Sequence, residues 1–529
     1  MAWKTKAMNN GDYNTRSVVR AIYWLVIALF VLAFILSIAT CRAAEQTLGK
    51  TVPTPAEAVG WALGDLATLP DADRPFTRYV WLPPWADERW IAAVNFSVNT
   101  AASHSTVIQL AVPCANGWLM RYDLRRLAPS AAQLQTLITT WDGLALQDPY
   151  FHIHQVNSGI PVAILAPHLR QQEAVALAGL SLSTGAIYRA DFLIVKMLST
   201  LEGGKYYDFL QVPRKVGKDT NPQSVWLSQL GVFEATTKSI NGDQRSAIFR
   251  SGVTGKPRRI DAFYGLGRGG NLCTITHDIG DEDVAAGQHP IRNLLAFDDR
   301  GREVIVARPN GTHAFALFTD AGEFVDSVPD NIAQDHTVPA PHTKRLQAAI
   351  SCIRCHGPHD GYQPFGNDVQ TILRSRLDVF SDLATVEFSR ERIIDRLAGL
   401  YAGQLDAPDA PIGRGRRDYS STVYRITGGV FGNQSVVEAV SDKVSEIFAG
   451  YRYEVVTPAK AAAELGLVVT EAEGVKGLNH LLGDPGTEVV VDPISGTLRA
   501  GVAVNRSDFE TVYADLALIA ERKRKELKK

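Results

Sequence analysis

The chain predicts an α+β fold: an N-terminal transmembrane helix, a mixed, β-rich middle region with a meander, a short helix carrying Cys352-Ile353-Arg354-Cys355-His356, and a mostly helical C-terminal region. Three observations predict it. The first is an uncharged apolar run from Ala21 to Ala39. The second is a pair of β-prone runs on either side of Pro309-Asn310-Gly311, the strongest short-range hairpin signal. The third is the set of segments after residue 378 with apolar residues at three-to-four spacing, the period of an amphipathic helix.

At 529 residues, with 46 % apolar and 21 % charged residues, the composition is that of an ordinary globular protein of two to four domains. The net charge of −2 excludes a dedicated nucleic-acid binder, which needs a basic surplus to neutralise phosphates. Only the tail from Glu521 to Lys529 is strongly basic, and it reads as a solvated helix end.

Residues 1–43 read as a cytoplasmic tail and signal anchor. Crossing a bilayer takes about 20 apolar residues, and Ala21–Ala39 is long enough. Lys4, Lys6, Arg16 and Arg20 precede it, which leaves the N-terminus cytoplasmic by the positive-inside rule. The expected location is therefore the inner (cytoplasmic) membrane, single-pass, with the bulk of the chain facing the periplasm. Cleavage near Arg42-Ala43-Ala44 and lipidation of Cys41 are the alternatives.

Residues 44–75 are rich in Thr, Pro and Ala and read as a tether, with a helix at Pro55–Leu66. Residues 76–300 form a mixed α/β region. It opens on an aromatic loop, Tyr79–Trp85, and contains helix-compatible stretches at Trp90–Ser97 and Ala131–Thr140. A strand is expected at Trp118–Leu124, where apolar and polar residues alternate, and helices at Tyr188–Leu201 and Asn221–Leu230. Gly265-Leu266-Gly267-Arg268-Gly269-Gly270 matches G-x-G-x-x-G, but Asn271–Thr276 continues as a strand instead of opening a phosphate-binding helix, so it reads as a turn.

Residues 301–380 hold the meander and the cysteine motif. Glu303–Arg308 and Thr312–Phe318 form the hairpin, Glu323–Val328 supplies a third strand, and a helix runs from Thr343 to His356. In residues 381–529, helices are expected at Glu391–Tyr401, Val436–Phe448, Pro458–Leu465 and Ser507–Lys525, with a Pro- and Gly-rich loop at Gly403–Arg417.

Cys352, Cys355 and His356 make a C-x-x-C-H signature, the attachment sequence of a c-type haem. Thiols at i and i+3 lie on one side of a helical turn and can bond the two porphyrin vinyl groups, while the next residue places its imidazole under the iron as proximal ligand. A zinc half-site is the rival reading, but structural zinc takes four ligands and no second cysteine pair exists. A bare dithiol is the other. Cys114 and Cys273 can pair as a disulfide in an oxidising compartment or remain single. The expected cofactor is one covalent haem c.

Several ordered pieces resemble the large exported proteins of planctomycetes and related bacteria that carry a single cytochrome c-type haem motif after a β-rich region. Trp118-Leu119-Met120-Arg121-Tyr122-Asp123-Leu124-Arg125 resembles their isoleucine-aspartate-leucine-arginine strand. Tyr188-Arg189-Ala190-Asp191-Phe192 is similar to their arginine-alanine-aspartate-tryptophan motif, with Phe192 in place of tryptophan. Gly203–Pro213 is similar to a tyrosine-rich segment, and Arg250–Thr254, the Pro309-Asn310-Gly311 hairpin and Ile350–His356 complete the series. The resemblance covers roughly residues 78–475 and implies a haem-binding electron-transfer protein without naming a substrate.

An electron carrier usually adds a second axial ligand, Met or His. All four methionines, Met1, Met8, Met120 and Met197, precede the motif. His336 is the first choice for the distal ligand, a short return from the motif; His342, His480, Met120, Met197 and an open position are the others. His359 lies on the same local turn as His356 and is poorly placed to reach the opposite side. His152 and His154 alternate on an expected strand and read as ordinary histidines, because no Cys, Asp or Glu joins them at ligand spacing. The expected function is a membrane-tethered monohaem c-type cytochrome passing single electrons to a redox protein partner. A haem-dependent oxidoreductase with its catalytic site elsewhere, and an envelope scaffold with an accessory haem, are the alternatives.

Overall fold

The computed structural model describes residues 55–101, 106–150 without 146, 187–213, 220–232, parts of 245–282, 299–363 without 330–332, 411–467 without 433–434, and 493–527, with short strands at 153–155 and 161–163. The apolar run Ala21–Ala39 and the segment Glu391–Tyr401 lie outside the described residues. Among the described residues no helix is long and apolar enough to cross a membrane.

The architecture is α+β. In chain order the described elements are α1 (Pro55–Thr68), β1 (Thr77–Trp81), α2 (Glu88–Ala101), β2 (Val112–Cys114), β3 (Leu119–Asp123), α3 (Ala131–Ala145), β4 (Ile153–Gln155), β5 (Pro161–Ala163), β6 (Ile187–Arg189), α4 (Ala190–Met197), α5 (Tyr206–Phe209) and α6 (Pro222–Gln229). Then come β7 (Arg245–Ile248), β8 (Arg258–Tyr264), β9 (Leu272–Asp278), β10 (Gly301–Ala307), β11 (His313–Phe318), α7 (Ile350–His356), α8 (Pro411–Thr427), α9 (Val436–Arg452), α10 (Pro458–Glu464), α11 (Pro493–Arg499) and α12 (Arg506–Leu527).

A four-stranded sheet has the order β2-β3-β1-β6 and a five-stranded sheet the order β11-β10-β9-β8-β7, every pair of the latter antiparallel. The aromatic stretch from Tyr79 begins as strand β1, not as a loop. Every residue of β1 is buried, between β3 and β6. The helix expected from Tyr188 starts only at Ala190, because Ile187–Arg189 pairs in parallel with Tyr79–Trp81. Helix α1 is docked and not a free tether segment: Ala58, Val59, Ala62 and Leu66 are buried, and Asp65 receives Arg121 at 2.8 Å and the Tyr79 hydroxyl at 2.7 Å.

The hairpin is found, but its neighbours differ from expectation. β10 and β11 pair from Arg302↔Phe318 to Ala307↔His313 around the 308–312 loop, with Gly311 in the left-handed region. β10's other neighbour is β9, upstream, so a boundary drawn at residue 300 falls inside one sheet. Glu323–Val328 is no strand; Phe324 and Ser327 make isolated bridges to Phe318 and Gln347. β11 is therefore a sheet edge, and its outward N–H groups need partners. Tyr206 and Tyr207 supply them: their hydroxyls accept from Phe315 N–H (2.9 Å) and Leu317 N–H (3.0 Å).

The 308–312 loop ties this sheet to α2. Arg308 donates to the Thr100 carbonyl at 2.5 Å and the Asn310 amide to the Asn99 carbonyl at 3.1 Å, capping the helix's open C-terminal end. Within 403–417, read as a loop, the described residues from Pro411 onward are helical. Pro411 opens α8, where its missing N–H costs nothing, and Gly415 serves packing, since a β-carbon there would sit 2.9 Å from Leu272 Cδ2.

At the C-terminal side a buried ion cluster joins distant elements. Arg189 meets Asp191 at 2.6 Å and Glu464 at 2.5 Å, and Arg506 meets Glu464 at 2.7 Å. The arginine and aspartate of the Arg-Ala-Asp piece thus have a packing role.

Candidate haem attachment site

The expected helix Thr343–His356 shortens to Ile350–His356. Ala349 has φ +64°, which no helix interior accommodates, and Gln347 pairs with Ser327 instead. A helix this short is unstable alone, so packing holds it: Ile350 and Ile353 are buried in the core and the following turn lies on α9. Ser351 Oγ accepts from Gln347 N–H at 3.2 Å and donates to Asp335 at 2.7 Å, while Arg354 reaches the same carboxylate at 3.1 Å.

On α7, Cys352 and His356 stand at i and i+4 and Cys355 at i+3 from Cys352, close enough to share a face. All three line one cavity of about 410 Å³, within the size range of small-molecule sites. Its floor is one face of the five-stranded sheet. Ile260, Thr276, Glu303 and Leu317 form a straight row across β8, β9, β10 and β11, all pointing into the cavity. Val325, Val328, Ala333 and Leu346, outside the sheet, also line it, and most of the lining surface is apolar.

His356 is buried, its ring centroid 6.1 Å from that of Phe315. Its Nε2 lies 3.4 Å from Glu303 Oε1, while Nδ1 is buried and has no hydrogen-bond partner among the described residues. Burial pushes the Glu303 carboxyl up, but the His356 hydrogen bond and charge and the Arg258 charge outweigh it, holding the carboxyl down to about 2. Arg258 pairs mainly with Asp278, at 2.8 Å, and more distantly with Glu303, at 3.9 Å. Gln363 donates to the Cys355 carbonyl at 2.7 Å.

Burial raises both motif thiols, Cys352 well above the ordinary range, and the Glu303 charge adds to each. Redox-active dithiols show the opposite shift. Among the described residues no group of three or more His, Cys, Asp or Glu could hold a bare metal ion. A porphyrin asks for something else: two thiols and an imidazole opening on a wide, mostly apolar space. The buried His356, with Nε2 turned toward the cavity floor, fits that demand. Cys352 and Cys355 would hold the ring edge and His356 the iron; the group would supply a one-electron couple whose potential the chain tunes through ligation and burial.

The other sequence candidates are not brought to this cavity. His336 and His342 are exposed, His342 against Tyr453 at 4.8 Å between ring centroids, and His359 is half-buried on the turn after α7. Met120 is buried in β3 and Met197 in α4. His480 and the glycine-rich turn 265–270 lie outside the described residues, as do His152 and the side chain of His154. Cys114 and Cys273 are not joined by a disulfide and lie in different sheets, Cys114 on β2 and Cys273 buried on the face of β9 turned away from the cavity.

Glu303, Arg258 and Gln363 escaped the sequence reading. Glu303 had a signal, a carboxylate at an inward position of a strand that otherwise runs Val-Ile-Val; Arg258 and Gln363 had none. No protein-family model, curated protein or solved structure matches the chain.

Proposed function

We propose that the chain is a monohaem c-type cytochrome, tethered to the cytoplasmic membrane by Ala21–Ala39 with its bulk in the periplasm, that passes single electrons to a redox protein partner. Cys352 and Cys355 bond the porphyrin and His356 is the proximal ligand. The observation that carries the reading is that these three side chains, on one short helix, line the same 410 Å³ cavity. The resemblance to exported planctomycete-type proteins with one haem motif points the same way. Producing the full chain alongside a haem-attachment machinery tests it: the denatured polypeptide retains haem by peroxidase staining, and loss of the stain overturns the reading.

A second reading, a haem-dependent oxidoreductase, is favoured by the polar cluster Arg258, Asp278 and Glu303 inside the cavity. Turnover separates the two: a carrier gives its electron only to a protein partner, whereas a catalytic haem consumes a small oxidant such as peroxide.

A further inference from the structure

We propose that Glu303 is the side chain facing the haem iron from the side opposite His356, as a carboxylate oxygen donor. The inference rests on the attachment of haem by Cys352, Cys355 and His356. It starts from a carboxylate largely buried on the cavity floor. Glu303 stands mid-strand in β10 between Thr276 and Leu317, on a floor that includes Ile260 and Ile305. Burying a charge there is costly unless it is partnered. Arg258 is not the main reason, because its near partner is Asp278 at 2.8 Å while Glu303 is at 3.9 Å.

Glu303 instead meets the motif itself: its carboxylate accepts from the Cys352 thiol, and its Oε1 lies 3.4 Å from His356 Nε2, the nitrogen through which the imidazole would reach a metal. Two metal–ligand bonds of about 2.0–2.2 Å laid end to end span roughly 4 Å. The two side chains therefore need to part by under about 1 Å to take an iron between them, and both line the same cavity of about 410 Å³. Asp278, the other carboxylate on this floor, is committed to Arg258.

An anionic oxygen donor favours ferric over ferrous iron and is a weak-field ligand, so its effect is read in spin state and potential, not in turnover. The test is ferric electron paramagnetic resonance and redox titration of the purified full chain and of Glu303→Gln and Glu303→His, with haem staining on the same preparations. The expected results are a high-spin ferric signal in the natural chain, a midpoint potential shifted positive in Glu303→Gln, and conversion to low spin in Glu303→His. If Glu303→Gln fails to accumulate, the natural chain decides: a low-spin signal from two nitrogen ligands, or from nitrogen and sulfur, overturns the proposal. An unchanged signal and potential in Glu303→Gln with haem attached overturns the role of Glu303 alone. No stain in any preparation overturns the attachment and this inference with it.

Discussion

Ser441 on α9 occupies the space that a side chain on Gly357 would fill. A β-carbon added to Gly357 would overlap the Ser441 side chain. The residue directly after the motif histidine is thus where the turn leaving α7 seats on α9, and the absence of a side chain there lets the two segments touch.

Gly357→Ala is expected to lower stability by about 1–3 kcal/mol, the usual cost of overpacking. Denaturant unfolding measures it, and combining the change with Ser441→Gly should recover part of the loss. Equal midpoints for Gly357→Ala and the natural chain would contradict the seating of this turn.

Tyr206 and Tyr207 act on the edge strand β11. Removing either hydroxyl leaves a buried N–H, of Phe315 or Leu317, without its acceptor, at about 1–3 kcal/mol each. Tyr207→Phe should cost more, since that hydroxyl also donates to the Val325 carbonyl at 3.0 Å. Amide exchange reports it locally: the Leu317 N–H loses protection in Tyr207→Phe and the Phe315 N–H in Tyr206→Phe. Unchanged protection at both sites sinks the idea.

Glu464 makes stability depend on pH. Burial raises its carboxyl, but the charges of Arg189 and Arg506 outweigh this and hold it down to about 2, against an ordinary value of 4.5. A carboxyl depressed in the folded state contributes stability fully above the unfolded value and loses it as pH falls through the folded one. The melting temperature should therefore drop between about pH 4.5 and pH 2. Glu464→Gln, which takes from Arg506 its paired carboxylate and leaves Arg189 with Asp191 alone, should cost about 3–5 kcal/mol at neutral pH and flatten that acid limb. A limb as steep in Glu464→Gln as in the natural chain would remove Glu464 from the explanation.

What was legible in the sequence is what local rules encode. The β10–β11 hairpin, strand β3 and helices α3, α6, α9, α10 and α12 follow from alternation, period and turn residues within a few positions of one another. The Cys352-x-x-Cys355-His356 spacing is equally local. The five-stranded sheet was not legible, because its assembly depends on pairings such as Val304↔Ile275 that carry no short-range signal. The Arg189–Glu464 contact joins residues separated by 275 positions, and Glu303 on β10 meets His356 on α7 only through the tertiary fold. Pro411–Arg417 looks like a loop because glycine marks turns, whereas Gly415 serves close packing against Leu272.

The central claim is the covalent haem on Cys352, Cys355 and His356. The most direct measurement is the intact mass of the full chain after denaturation, from cells that attach c-type haem, beside the chain carrying both Cys352→Ala and Cys355→Ala. The predicted result is one haem per polypeptide in the natural chain, and in the doubly substituted chain the mass of the bare polypeptide. A natural chain that also carries only the mass of the bare polypeptide, although the attachment machinery matures a control cytochrome in the same cells, would contradict it.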